Sequence, residues 1–221
     1  MIEMKGVSKT YPMGGEDVAA LSDVSLKVEE GSFLAVTGPS GSGKSTLLYT
    51  MGGLLTPTSG DVVIDGVRVY GLSPRSRARF RRENVGFVFQ TFELLPYLTA
   101  IENVMLPLSL VDIDSEEQED RAFGCLEKVG LAKRADHKPT ELSGGEQQRV
   151  AVARGIVNSP RILLADEPTG NLDQRTGQEI IGLLRNLHGE GLTIVMVTHD
   201  VGKAEQADVR IGMMDGQIIS R

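Results

Sequence analysis

The segment Gly38-Pro-Ser-Gly-Ser-Gly-Lys-Ser45 constrains this chain more than any other feature. A short apolar run, Phe33–Thr37, leads into it, and a helix-forming stretch, Lys44–Gly52, leads out. Gly38, Gly41 and Gly43 let backbone N–H groups curl around one point, and the helix that follows aims the positive end of its dipole at the same point. A polyphosphate is the natural occupant of such a nest. In the pattern G-x-x-x-x-G-K-S, the loop formed by Gly38, Pro39, Ser40, Gly41, Ser42 and Gly43 wraps the phosphates. Lys44 reaches the β- and γ-phosphates, the Ser45 hydroxyl ligates Mg²⁺, and Thr46 belongs to the same helix start. The competing reading, a glycine-rich turn that binds nothing, does not explain why a buried strand precedes the loop and a helix follows it.

A nucleotide site also needs a carboxylate for the metal at the end of a neighbouring strand. Ile162-Leu-Leu-Ala-Asp166-Glu167 supplies two. Asp166 is placed to hold Mg²⁺ and Glu167 to polarise an attacking water. An apolar strand ending in an acidic turn is common by itself, and the phosphate loop is what gives this one meaning.

The rest of the chain fits an α/β plan. Ser25–Val28 reads as a strand, Gly60–Ile64 with Asp65-Gly66 as a hairpin, and Ser73-Pro74 as a capped helix start; Val85–Phe89 is another strand. From about Thr99 to Val157 the pattern turns helical, with helices expected over Ser115–Val129 and Gly145–Val157. Strand and helix then alternate again through Ile162–Ala165, Thr176–His188 and Thr193–Val197. This order predicts a mostly parallel sheet with crossover helices, interrupted by a helical insert. The expected organisation is one domain over 1–221, with an ATP-binding core at about 1–90 and 158–221 and a helical subdomain at about 91–157.

Composition narrows the partners. A net charge of −7 argues against general nucleic-acid binding, which goes with a basic balance. One cysteine, Cys125, forms no internal disulfide and reads as a small core residue. Met1–Lys9 lacks the apolar core of a signal peptide, and no window reaches the roughly 18 apolar residues of a membrane span. Any work at a membrane therefore falls to a partner.

Leu142-Ser-Gly-Gly-Glu146, followed by Gln147–Arg154, forms a second glycine-rich nest at a second helix start, and the chain offers no second nucleotide motif for it to complete. Read alone it is a surface helix cap. With Asp166-Glu167-Pro168 and Leu172-Asp173 downstream, the order and wording resemble the ABC ATPase family over essentially the whole chain. That resemblance implies a P-loop NTPase core with a mostly parallel sheet, an antiparallel β subdomain and an inserted helical subdomain, and ATP hydrolysis with ATP and Mg²⁺. It further implies that Gln90 senses Mg²⁺ and links to a membrane partner, and that His199 contacts the γ-phosphate. Tyr11 is implied to stack on adenine, with an exposed turn tyrosine as the alternative. In the family two copies meet head to tail, so Ser143, Gly144, Gly145 and Glu146 would complete the partner's site and Asp173 would couple the two.

Phe92–Pro107, Asp136–Gly145 and Ala165–Asp173 resemble the lipoprotein-release and macrolide-export group, features the related cell-division subunit shares. The expected partners are a second copy and integral membrane permease subunits contacted near Gln90–Pro107, with no nucleic acid. The expected location is the cytoplasmic face of the cell membrane. An ATPase of a transmembrane signalling complex that moves no solute, and a soluble non-transport ABC ATPase, are the alternatives. The cluster Arg75–Arg82 reads as a solvated face, some of it available to anionic lipid head groups, and Ser115–Asp120 as a helix start favoured by its dipole.

Overall fold

The computed structural model describes residues 1–14 and 16–220. Two sheets organise it. One is antiparallel, with strand order β2-β1-β4-β5: β1 (Ile2–Met13), β2 (Glu16–Val28), β4 (Ser59–Ile64) and β5 (Val67–Arg68). The Asp65-Gly66 link between the last two has positive φ at both residues, 49° and 78°, as a two-residue hairpin turn of matching twist demands.

The other sheet has strand order β10-β9-β3-β8-β7-β6: β3 (Phe33–Thr37), β6 (Val85–Val88), β7 (Ile162–Asp166), β8 (Thr193–Thr198), β9 (Val209–Met214) and β10 (Gln217–Ser220). All its pairs are parallel except the β9–β10 edge. Its central strands are covered on both faces, so they read as unbroken apolar runs. Phe33 and Ala35 point into one core, with Leu163, Ile194 and Leu184, while Leu34 and Val36 point into the other, with Leu47, Leu48 and Met51. Those last three belong to α1 (Lys44–Met51), which the sheet and the antiparallel subdomain bury between them.

Between β6 and β7 the chain is helical: α3 (Ala100–Met105), α4 (Ser115–Lys128) and α5 (Gly144–Ile156). They share the first core through Val104, Leu126 and Val150, none of which reaches solvent. Three further helices lie outside this insert: α2 (Pro74–Asn84), α6 (Gln174–Gly189) and α7 (Val201–Ala204). Asp114 caps the acidic start of α4, with Glu116 and Glu117 in its first turn. Cys125 is half-buried rather than enclosed, and burial pushes its thiol pKa up. Among the described residues no helix is long and apolar enough to cross a membrane.

Candidate nucleotide site

The sheet order brings the carboxyl ends of β3, β8 and β7 side by side, and the loops leaving them build the site. The loop after β3 turns on glycine for two separate reasons. A Cβ on Gly38 would stand 2.2 Å from the Met213 carbonyl oxygen, and one on Gly43, at φ 98°, would stand 2.3 Å from that of Ala20. These two glycines let the loop press against its own fold. Gly41, at φ 79°, meets nothing within 4 Å and keeps the opposite side open for a ligand.

Lys44 is 7% exposed, and its Nζ donates to the carbonyls of Gly38 at 2.9 Å and Pro39 at 2.8 Å. The ammonium is thus held inside the loop by neutral acceptors, which an anion would replace with a stronger charge-assisted bond. Ser42 Oγ is buried with no hydrogen-bond partner. It lies on the side of the loop that faces Gly38, where a Cβ would stand 2.8 Å from it, and it does not line the cleft, so the polyphosphate fit rests on Lys44 and the open side at Gly41.

At the end of β7, Asp166 accepts from Ser45 Oγ at 3.0 Å and from Tyr49 OH at 2.5 Å. Burial, and then the bond to Asp166, push the Tyr49 phenol pKa up, so it stays protonated and donates. Among the described residues no three His, Cys, Asp or Glu side chains gather into a metal cage. A hard cation at Ser45 and Asp166 would complete its oxygen shell from phosphate and water, the usual habit of Mg²⁺.

Glu167 follows with φ 45°, its N–H donating to the Val197 carbonyl at 3.0 Å. That left-handed backbone turns the side chain away from the path of β7 and toward His199, whose Nδ1 lies 2.9 Å from Glu167 Oε2. The Glu167 side chain is 13% exposed and that of His199 64% exposed, so the pair spans from the wall of the site to solvent. Ser40, Gly41, Gly43–Thr46, Gln90, Glu167 and His199 line one cleft of about 590 Å³, a common size for a small-molecule site. A larger cleft of about 900 Å³ lies between α2 and the helical insert, but it is lined by arginines and holds no phosphate loop.

Gly38, Pro39, Ser42 and Asp166 stand behind the lining of the smaller cleft, and Tyr11, Ser143–Glu146 and Asp173 lie outside it. Tyr11 sits on β1 with the Lys9 ammonium 5.1 Å from its ring centre. Ser143 caps α5: its Oγ accepts from the Glu146 N–H at 3.3 Å, and Glu146 Oε2 accepts from the Ser143 N–H at 2.9 Å. That N–H bond, together with the Ser143 hydroxyl and Arg134, holds the Glu146 carboxyl below its ordinary range. Gly144 and Gly145 press on the loop that leads into α6, where a Cβ on Gly145 would stand 2.3 Å from Thr176 Cγ2. Asp173 caps α6 by accepting from Thr176 N–H at 3.1 Å and Thr176 Oγ1 at 2.5 Å. The second nest and Asp173 therefore form one surface of their own.

The ABC transporter family profile matches residues 21–170. An uncharacterized ABC transporter ATP-binding protein of Bacillus subtilis, YvrO, is 47% identical over 99% of this chain and 96% of its own length. This chain belongs to the ABC transporter family. The macrolide export ATP-binding/permease protein MacB of Bdellovibrio bacteriovorus is 49% identical over the whole chain, which spans only 34% of MacB. Among solved structures, the dimeric post-hydrolysis state of the ATP-binding cassette MJ0796, bound to ADP and Pi, superposes with a TM-score of 0.91. It is 46% identical over 99% of this chain and 96% of that one. The cassette is an ATP-binding ATPase with a P-loop NTPase core, an antiparallel β subdomain and a helical insertion.

Two residues escaped the sequence reading. Gln148 is fully buried on α5, and its Nε2 donates to the Pro168 carbonyl at 2.8 Å and the Phe89 carbonyl at 3.4 Å. It ties α5 to the residues just past the ends of β7 and β6. A glutamine among the apolar positions of an otherwise core-facing helix was the available signal. Tyr49 is the other, marked only by its place one turn after Ser45. Gln90 lines the cleft, and its amide packs on Gly170, where a Cβ would meet Nε2 at 2.7 Å.

Proposed function

We propose that two copies of this cassette close head to tail on two ATP molecules, and that closure drives a conformational change in integral membrane permease subunits. The observation that carries the reading is the separation of the two anion nests. Ser143 and its helix start lie apart from the cleft of Lys44 in the same chain, so a second copy is the simplest way to use both. The MJ0796 cassette, a dimer with ADP and Pi, supports it.

In this reading residues 1–90 and 158–221 bind ATP and residues 91–157 carry the signature nest. Tyr11 stacks on adenine, the loop from Gly38 to Thr46 holds the phosphates, and Ser45, Gln90 and Asp166 hold Mg²⁺. Bound there, the cation neutralises charge on the phosphate oxygens. Glu167 orients the attacking water and takes its proton, while His199 holds Glu167 and faces the γ-phosphate. Ser143, Gly144, Gly145 and Glu146 close over the partner's ATP, and Asp173 couples the two sites.

The permease docks along Gln90–Pro107 and the larger cleft beside it. Arg75, Arg79, Arg81, Arg82 and Arg154 line that cleft around an apolar floor that includes Phe87 and Phe89. In a chain of net charge −7 this arginine-lined groove would suit an acidic partner segment. The cassette then sits on the cytoplasmic face of the membrane through that partner. MacB, which the chain matches over one third of its length, carries its permease in the same name. Co-purification of the tagged cassette with an integral membrane protein tests the reading; recovery of the cassette free of any membrane protein from detergent extracts counts against it. A complex that hydrolyses ATP in vesicles without moving solute would make it a signalling ATPase.

A further inference from the structure

Ser45 and Tyr49 stand four residues apart on α1, so their side chains share one face of the helix. Asp166 lies across from that face, and each of its oxygens takes one hydroxyl. Ser45 Oγ donates to Oδ1 at 3.0 Å, and Tyr49 OH donates to Oδ2 at 2.5 Å. The chemistry proposed above uses only the serine contact. The tyrosine contact has no part in it, yet it is the shorter of the two.

A carboxylate at a strand end turns easily about its last torsion, which has a broad and nearly two-fold profile. Left free, Asp166 could present either oxygen to a cation. Tyr49 removes that freedom, because its own position is fixed by packing. Its ring lies 6.1 Å from that of Phe89, tilted by 55°, and Phe89 is stacked on Phe87 at 5.8 Å with 5° between the planes. The half-buried donor is therefore seated against an aromatic pair.

We infer that Tyr49 is a positioning residue for the metal-holding carboxylate: its hydroxyl claims Oδ2 of Asp166 and leaves Oδ1, beside Ser45, as the oxygen offered to the cation. This rests on the reading that Asp166 holds Mg²⁺. Groups that orient a metal ligand from behind typically cost 10–100-fold in metal affinity when removed. The same stack also floors the arginine groove, since Phe87 and Phe89 line it. Tyr49 thus touches the carboxylate at one end and the wall of the docking groove at the other.

The test uses the full chain and Mn²⁺ as the probe, its binding measured by electron paramagnetic resonance with ADP present. Tyr49→Phe keeps the ring on Phe89 and deletes only the donor. It should weaken Mn²⁺ binding about tenfold or more, leave ADP binding in EDTA within about twofold of wild type, and regain its ATPase rate as Mg²⁺ is raised. Tyr49→Leu, which also removes the ring, should lose a similar factor in Mn²⁺ affinity if the hydroxyl is what matters. Unchanged or tighter Mn²⁺ binding by Tyr49→Phe overturns the inference, because the phenol would then be a satisfied bystander or a competitor of the metal. So does a rate loss that saturating Mg²⁺ fails to restore while ADP binding in EDTA falls equally, since that marks a packing role. Asp166→Asn run alongside separates the two layers: if it keeps full Mn²⁺ affinity, the metal assignment itself is wrong and not merely the role of Tyr49.

Discussion

Replacing Glu167 by glutamine isolates one step of hydrolysis. The backbone at this position is left-handed, with φ 45°, and is pinned by the N–H bond to Val197. Glutamine meets that conformation with the same main chain and the same side-chain length. Its amide can still pair with His199 Nδ1 where Glu167 Oε2 now lies at 2.9 Å, so neither the wall of the site nor His199 need move. What glutamine cannot do is accept a proton from water. General-base assistance is worth about 10²–10⁴ in rate, or about 2.7–5.5 kcal/mol on the barrier. The expected outcome is a kcat lowered by that factor with ATP affinity retained, because Lys44, Ser45 and Asp166 are untouched. Phosphate release measures the rate, and size exclusion with and without ATP measures assembly. The variant should trap uncleaved ATP between two copies, run as a dimer, and return to monomer when ATP is removed. Hydrolysis at the wild-type rate would refute the assignment and make His199 the leading base. An inactive variant that never dimerises on ATP would refute the shared site instead.

Lys44→Ala removes the one ammonium held inside the phosphate loop, and a bond to a charged group is worth about 1.5–3 kcal/mol. ATP binding by fluorescence should weaken about tenfold or more, with no turnover. Ser143→Arg should stop turnover while monomer binding of nucleotide stays near wild type, and ATP-driven dimers should reappear in part only when it is mixed with Lys44→Ala. Loss of ATP binding as severe as that of Lys44→Ala would place the nest in its own chain's site. Glu146→Gln should change the pH dependence of stability. The Glu146 carboxyl is lowered in the fold, so its contribution is full above the ordinary carboxylate range and is lost as pH falls through the folded value. The stability gap between wild type and Glu146→Gln in urea melts should shrink as pH falls below the ordinary carboxylate range, from a start below about 1 kcal/mol because the pair is partly exposed.

What the sequence displayed and what it hid follow from the range of the interactions. Phe33–Thr37 and Thr193–Thr198 were legible because burial on both faces writes an unbroken apolar run. The long first strand was not. Its register with β2 shifts between Met4 and Val7, where Gly6 takes φ 57°, so the alternation changes phase and no single period of two survives. Strands β9 and β10 form the far edge of the parallel sheet, and in β9 only Ile211 and Met213 are buried, which no apolar run announces. The phosphate loop and the Ser143 helix start were legible for a different reason: each is a glycine-rich turn into a helix written in contiguous residues.

The contacts that assemble the site are not local, and there the sequence is silent. Tyr49 reaches Asp166 across 117 positions and Gln148 reaches Phe89 across 59. Only the strand order explains them. With β3 beside β8 and β8 beside β7, three loops open at one sheet end, which is where open parallel sheets bind their ligands. Lys44, His199 and Glu167 then converge without any motif joining them. The same logic sets Ser143 apart. Its nest opens α5, in the helical insert between β6 and β7, and not a loop at the ends of β3, β7 and β8. In the proposed reading, a nest absent from the cleft of its own chain takes part in the chemistry when another copy brings a phosphate to it. The fold thus puts half of the proposed machinery at the mouth of the sheet and half on the insert, and under that proposal assembly of two copies would be part of the reaction and not a consequence of it.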